Sequence, residues 1–353
     1  MDYSAPPFPP QAPQLDEGRR TWTLSRYADV QAALREPAFC QASPKGAKTY
    51  VAGAPDHVQL RAGAQADVDQ LSTKQSHGVM VDSARALLNR VAGGGPVNLL
   101  AEVIEPWATN VILSLGLADW ALADPGLRDR LILINHGLFL KRDKDPGWWV
   151  RRIFGENLTT SVCKWRRKKA EACVEAYIAN GQITVTKPTY LGATQTLPSF
   201  LAKAWLALLE HPDQLARLRS EPQLMACAVE ELMRYAGVVH TLYRRATEDV
   251  VLGGVTIAKD DLIVLKIESA NRDPRKFDSP DQLNITRRPL GNLGLGTGAH
   301  ACAGAALVRI GAALITATFL AADPVLDPGA KIKWTGDSSV RWPLVVPATI
   351  KRQ

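Results

Sequence analysis

Paired cysteines are missing from this chain. Its five cysteines, at 40, 163, 173, 227 and 302, are odd in number and far apart. That excludes a disulfide framework and fits a reducing, cytoplasmic compartment. No second Cys or His pair stands near Cys302, so a structural zinc site lacks ligands there. The N-terminal stretch to Pro13 is rich in proline, carries little charge and has no apolar core, so no signal peptide is expected. Only residues 303–322 approach a membrane span, and Arg309 with many Ala and Gly residues argues for a buried core helix instead. No linker divides the chain after its start, so we expect an extended arm over 1–20 and one unit over 21–353. Charge of one sign is scarce: 42 Lys+Arg against 35 Asp+Glu leave a net +7. That implies solubility, with a basic patch for an acidic protein partner as the functional alternative. The basic cluster at 164–169 has no recognisable binding module around it, so no nucleic-acid partner is expected.

The most informative stretch runs from Gly294 to Gly304 and leads straight into the apolar run 305–322. Glycines at 294, 296 and 298 allow tight turns and close approach to a flat ligand. Cys302 falls where a helix begins, and the positive end of a helix favours a thiolate. A soft thiolate on a rigid loop is an axial ligand for haem iron. A dinucleotide turn is the competing reading of Gly294, Gly296 and Ala299, but no clear strand precedes it and no acid follows about 20 residues on.

This loop resembles the cysteine-ligand loop of the cytochromes P450, whose pattern is Phe-Gly-x-Gly-x-His-x-Cys-x-Gly. Here Leu295, Gly296, Gly298, His300, Cys302 and Gly304 stand at those positions, and only the Phe differs. The resemblance implies a mainly α fold with a small β portion, one haem b, and Cys302 as the iron ligand. Other segments extend it. Pro55-x-His57-x-x-x-Arg61 is similar to the opening of a family helix, and the spacing sets both basic side chains on one helix face. Arg244, in a strand with alternating apolar positions, matches a family arginine; Arg245 is the alternative if the register slips by one. The resemblance implies that His57, Arg61, Arg244 and His300 contact the haem propionates. Glu231 and Arg234, spaced i,i+3, resemble the family's Glu-x-x-Arg helix, with Arg287 as a third, structural member.

The run Leu208-Leu-Glu-His-Pro-Asp-Gln matches the exit of the family's long central helix and sets its register. Gly192, Ala193, Thr194, Gln195 and Thr196 then fall on the oxygen and substrate side. Gly192 leaves room over the iron. The usual acid is replaced by Thr194 and the usual relay Thr by Gln195, and an amide is a poor proton relay. Pro198 lacks an N–H, so a kink and a free Thr194 carbonyl are expected. Ser25 is expected to cap a helix that contains Tyr27, Val30 and Leu34 and ends at Pro37. Over 62–190 the resemblance is weak, and the segment before the central helix is short. What it implies overall is a monooxygenase acting on a small-to-medium organic substrate, in specialised metabolism, with electrons from an acidic ferredoxin docking near Arg309. Atypical chemistry, such as peroxide-driven oxidation, coupling, dehydration or rearrangement, and a non-catalytic haem protein are the alternatives. No membrane partner is expected.

Overall fold

Short strands gather early and late chain segments into one sheet, and helices fill most of the rest. The computed structural model describes residues 9–118, 126, 130–131, 134, 168–288, 291–327, 329, 331–334 and 339–351. The 146–149 aromatic turn, residues 164–167 of the basic cluster and residues 1–8 of the arm lie outside these. Strand β1 (Gln14–Asp16) pairs antiparallel with β2 (Thr21–Leu24), so the described part of the arm is tied to the sheet. β3 (Phe39–Gln41) and β4 (Val97–Asn98) follow, then β5 (Thr241–Ala246), the hairpin β6 (Val250–Leu252) and β7 (Val255–Ile257), and β8 (Leu262–Lys266). The main sheet has the order β1-β2-β8-β5-β3, with β2 and β8 parallel. β9 (Pro324–Leu326) and β10 (Pro347–Ile350) join β4 in a second small sheet. The pleat separates the two neighbouring arginines: successive side chains point to opposite faces. Arg244 is buried, while Arg245 turns the other way and donates to the carbonyls of Gly46 and Asp260.

The helix Tyr27–Arg35 buries Tyr27, Val30, Ala33 and Leu34 at helical spacing. Its start differs from expectation. Ser25 does not cap it; the Ser25 hydroxyl instead accepts from the Gln11 N–H and donates to the Gln11 carbonyl, holding the arm. The cap comes from across the chain, where the Asp273 carboxylate accepts from the Tyr27 N–H at 2.8 Å. A long-range carboxylate serves an orphan helical N–H as well as a local hydroxyl does.

The central helix runs through Lys187–Leu191, a π turn at Gly192–Thr196 and Leu197–Glu210. Across the π turn the Leu197 N–H reaches the Gly192 carbonyl, five residues back. The irregularity therefore falls just ahead of Pro198 as one widened turn. From Leu197 to Leu209 every residue is buried. Trp205 stacks on Phe319 of the last helix, Ala305–Ala321, with ring centroids 3.9 Å apart, and donates to Thr316 Oγ1 at 3.1 Å. No helix among the described residues is long and apolar enough to cross a membrane.

The helix Met225–Tyr235 carries the Glu231 carboxylate into the interior. Arg234 grips both of its oxygens at 2.8 Å, and Arg287 Nε sits 3.0 and 3.1 Å from the same pair. The guanidiniums spend their other donors on carbonyls of Asn271, Asp278, Ser279, Pro280 and Gln282. One buried anion thus holds two buried cations, and a run of carbonyls offsets the excess positive charge. Replacing Glu231 by Gln keeps the shape and strands that charge. We expect a loss of about 3–5 kcal/mol in urea unfolding; a loss under about 1 kcal/mol, the range of an exposed pair, would contradict this account.

Candidate active site

A cavity opens between the central helix and the loop that precedes the last helix. Its volume is about 220 Å³. One wall is the π turn, with Gly192, Ala193 and Thr196. The opposite wall is the loop, with Leu295, Cys302 and Gly304. A Cβ built on Gly192 would meet nothing within 4 Å, so this glycine borders open space. Between the walls stand Phe200, Met233, Val238 and Val239, apolar residues that sequence reasoning did not single out. Their signal was weak, since apolar residues after a helix end usually mean ordinary core.

The loop owes its shape to close backbone packing. Gly298 has φ +76°, and a Cβ there would lie 2.5 Å from the Leu34 carbonyl oxygen and 2.9 Å from Arg35 Cα. Gly296 also has positive φ, at +68°. The Cys302 N–H donates to the Leu295 carbonyl at 2.8 Å, which closes the loop beneath the thiol. Cys302 is accessible by surface area, yet that surface lies inside the cavity. Burial therefore pushes its thiol above the ordinary range, against the Gly304 N–H and the nearby Arg61 and Arg309, which favour the thiolate. The low thiol pKa expected from the helix start alone is not what the protein surroundings give: desolvation outweighs the helix end.

Beside the loop sits a cluster of basic side chains. Pro55 opens the helix Pro55–Leu71, which puts His57 and Arg61 on the side facing the loop. The His57 and His300 rings meet edge to face, centroids 4.7 Å apart, and Arg61 donates to the Ala301 carbonyl. Arg244 approaches from β5, donating to the Tyr243 carbonyl at 2.9 Å. Burial lowers His300 to about 4, and the charges of Arg244, His57 and Arg61 push the same way, so it is neutral at pH 7. Burial likewise lowers Arg244 to about 10, which leaves it a cation. Three buried polar atoms here have no partner in the polypeptide: Arg244 Nε and both ring nitrogens of His300. Buried polar groups are nearly always paired, so this cluster is built to meet an outside group.

Two expected wall residues sit elsewhere. Thr194 is fully buried and donates its hydroxyl to the Tyr190 carbonyl at 2.8 Å. Gln195 does not line the cavity, and its Nε2 is buried without a partner. The widened turn brings Thr196, which is exposed to the cavity, into their place. Glu231, Arg234 and Arg287 lie away from the cavity, behind the loop.

Known proteins match this arrangement. The family profile "Cytochrome P450" matches residues 189–322. Cytochrome P450-SU2 of Streptomyces griseolus is 30% identical over 354 residues, covering 92% of this chain and 87% of that protein. The chain belongs to the cytochrome P450 family. Nocardicin C N-oxygenase of Nocardia uniformis is 28% identical, with 95% of this chain and 91% of the relative covered. The crystal structure of CYP109B1 from Bacillus subtilis shares the fold at TM-score 0.78 and 20% identity, covering 96% of each chain. As a cytochrome P450 the protein is a haem-dependent oxidoreductase of the monooxygenase class, acting on small molecules. Because the loop conformation depends on Gly298, Gly298→Ala is expected to lower the thermal unfolding midpoint and to cost about 1–3 kcal/mol, with a parallel fall in haem content. A variant with wild-type stability and haem content would contradict the close packing on Leu34 and Arg35.

Proposed function

We propose that the cavity takes haem against the 294–304 loop, with Cys302 as axial thiolate, and that residues 21–353 act as one haem unit. The observation that carries this reading is the unsatisfied basic cluster beside an apolar cavity that ends on a thiol. Arg61 and Arg244 bring positive charge and neutral His300 an unpaired ring N–H, with His57 beside them and no carboxylate among them, which suits two propionates. Gly296 and Gly298 adopt the positive φ that the tight loop needs, and Leu295 and Gly304 line the cavity where the ring would lie. When bound, a thiolate-ligated haem supplies oxygen activation by electron donation from sulfur.

The chain's own residues define the rest. Gly192 and Ala193 line the cavity across from Cys302 and would leave room for a substrate beside a bound haem. Phe200, Val238 and Val239 exclude water and orient an apolar substrate. We assign proton handling to Thr196 Oγ1, because the Thr194 hydroxyl is already committed to the Tyr190 carbonyl and Gln195 does not line the cavity. This supports ordinary monooxygenation over atypical chemistry: one hydroxyl still stands on the wall although the family's acid and threonine are replaced. The substrate is proposed to be a small-to-medium specialised metabolite, in keeping with a relative named for N-oxygenation of nocardicin C. Electrons are proposed to come from an acidic ferredoxin docking near Arg309, a half-exposed residue paired with Glu230.

The assay is turnover of a substrate found by its shift of the haem spectrum, supported by a ferredoxin and its reductase. Thr196→Val is expected to lower product formed per electron by about 10²-fold, whereas Thr194→Val changes it by about twofold or less. The opposite order would return the relay to Thr194. Turnover with peroxide alone that exceeds ferredoxin-supported turnover would favour the atypical reading.

A further inference from the structure

Behind the cavity wall lies a charged chain that the proposed reaction does not use. Lys203, on the central helix, is 4% exposed and surrounded by apolar neighbours from Ala202 to Leu209. Its Nζ donates to the Gly237 carbonyl at 2.8 Å and lies 2.9 Å from His240 Nε2. His240 Nδ1 lies 3.0 Å from Glu268 Oε2. An ammonium has donors only, so Nε2 must accept and Nδ1 must carry the hydrogen that goes to the carboxylate. The order is ammonium, neutral imidazole, carboxylate, with one charge at each end.

We propose that Lys203, acting through His240 and Glu268, is a positioning residue that holds the cavity wall Gly237–Val239 and so sets the grip on the apolar part of a substrate. This rests on the reading of the cavity as the haem and substrate site. Gly237, Val238 and Val239 line the cavity, and Lys203 binds the first of them directly. His240 continues the same segment, and its carbonyl accepts from the Ile267 N–H at 2.9 Å at the start of the short helix bearing Glu268. The wall is thus anchored to the central helix on one side and to the main sheet on the other. A buried charge is a costly anchor, and removing it alone strands the Gly237 carbonyl and the Glu268 carboxylate. A positioning role predicts that removing the charge weakens a ligand that reaches the wall while a ligand that does not reach it binds as before.

The anchor is also open to titration. Burial lowers Lys203 to about 8, partly opposed by the Glu268 charge and reinforced by Arg272 and Arg341. Burial lowers His240, opposed by its hydrogen bond to Glu268 and that carboxylate's charge and reinforced by Lys203 and Arg341, and Lys266 is the remaining cation beside Glu268. Below pH 8 the ammonium is present; as pH rises through 8 the proton leaves and the charge-assisted bond to Gly237 weakens.

The test uses the haem-loaded protein and two nitrogen ligands of the iron that are neutral above pH 7, pyridine and 4-phenylpyridine, titrated by absorption. Pyridine reports access to the iron, and the added phenyl ring reports the wall. Lys203→Met is expected to weaken 4-phenylpyridine about tenfold and pyridine by less than about twofold. Lys203→Arg should restore part of the difference. Raising the wild type from pH 7 to about pH 9.5, past the pKa, should reproduce the Met variant's pattern, while the Met variant itself stays unchanged. The thermal midpoint of Lys203→Met is expected to fall, because the Gly237 carbonyl and Glu268 lose their partner; retained pyridine binding separates that loss from the selective loss of the larger ligand. Equal 4-phenylpyridine affinity in wild type and Lys203→Met, at both pH values, would overturn the proposal while leaving the cavity reading intact. Failure of either ligand to shift the wild-type spectrum would overturn the cavity reading, and this inference with it. Should Lys203→Met not fold, Lys203→Gln takes its place: an unchanged ratio of the two affinities between wild type and that variant would overturn the role.

Discussion

A single buried carboxylate, Glu231, ties the architecture together. Two guanidiniums share it, and their outer donors collect carbonyls from the 271–282 segment. The chain of bonds then leads to the site. Arg234 donates to the Asn271 carbonyl, and the Asn271 side-chain oxygen accepts from the Leu293 N–H at 2.7 Å. Leu293 in turn accepts from the Gly296 N–H, and Leu295 from Cys302. The position of the thiol is thus inherited, bond by bond, from an ion cluster that never touches the cavity. A low local dielectric makes each of these bonds strong and makes any one missing partner costly.

The cavity side is governed by a different constraint, the fit of Pro198 inside a helix. A proline donates no N–H, so the hydrogen-bonding register must yield somewhere near it. It yields by one widened turn at Gly192–Thr196, and the turn decides which side chains face the cavity. Thr194 turns inward to the helix backbone and Thr196 comes to the wall. The opposite wall carries the thiol, and the basic cluster stands beside the loop, off the cavity lining, with Arg244 Nε and the His300 ring nitrogens unpaired. Space, soft ligand and positive charge are therefore brought close together from four segments far apart in sequence.

Much of this was legible in the residues. The mainly α fold, the cysteine loop and the Glu231, Arg234 and Arg287 set follow from short motifs in which nearly every position matters. Alternation along β5 told only that Arg244 and Arg245 face opposite ways; which of them is buried came from the structure. What escaped the sequence depends on contacts far along the chain. Ser25 looked like a cap because local hydroxyls usually serve that purpose, but Asp273 stands 246 residues away and takes the position. The π turn escaped because its bonding differs from an α turn by one residue, and proline marks the neighbourhood of the change without giving its sense. The thiol's surroundings escaped because helix-end electrostatics are visible in a motif while desolvation is not. Lys203 in an apolar run gave a signal that could have been taken up: a lone lysine among Leu, Ala and Trp must find partners inside the fold.

The central claim is that Cys302 ligates the iron of a haem held in the described cavity. It is tested most directly by the absorption spectrum of the purified protein, reduced and exposed to carbon monoxide. The account predicts a Soret band at the red-shifted position characteristic of thiolate ligation, lost in Cys302→Ser with haem still bound. A band of the histidine-ligated type in the wild-type protein, or a red-shifted band that survives Cys302→Ser, would contradict it.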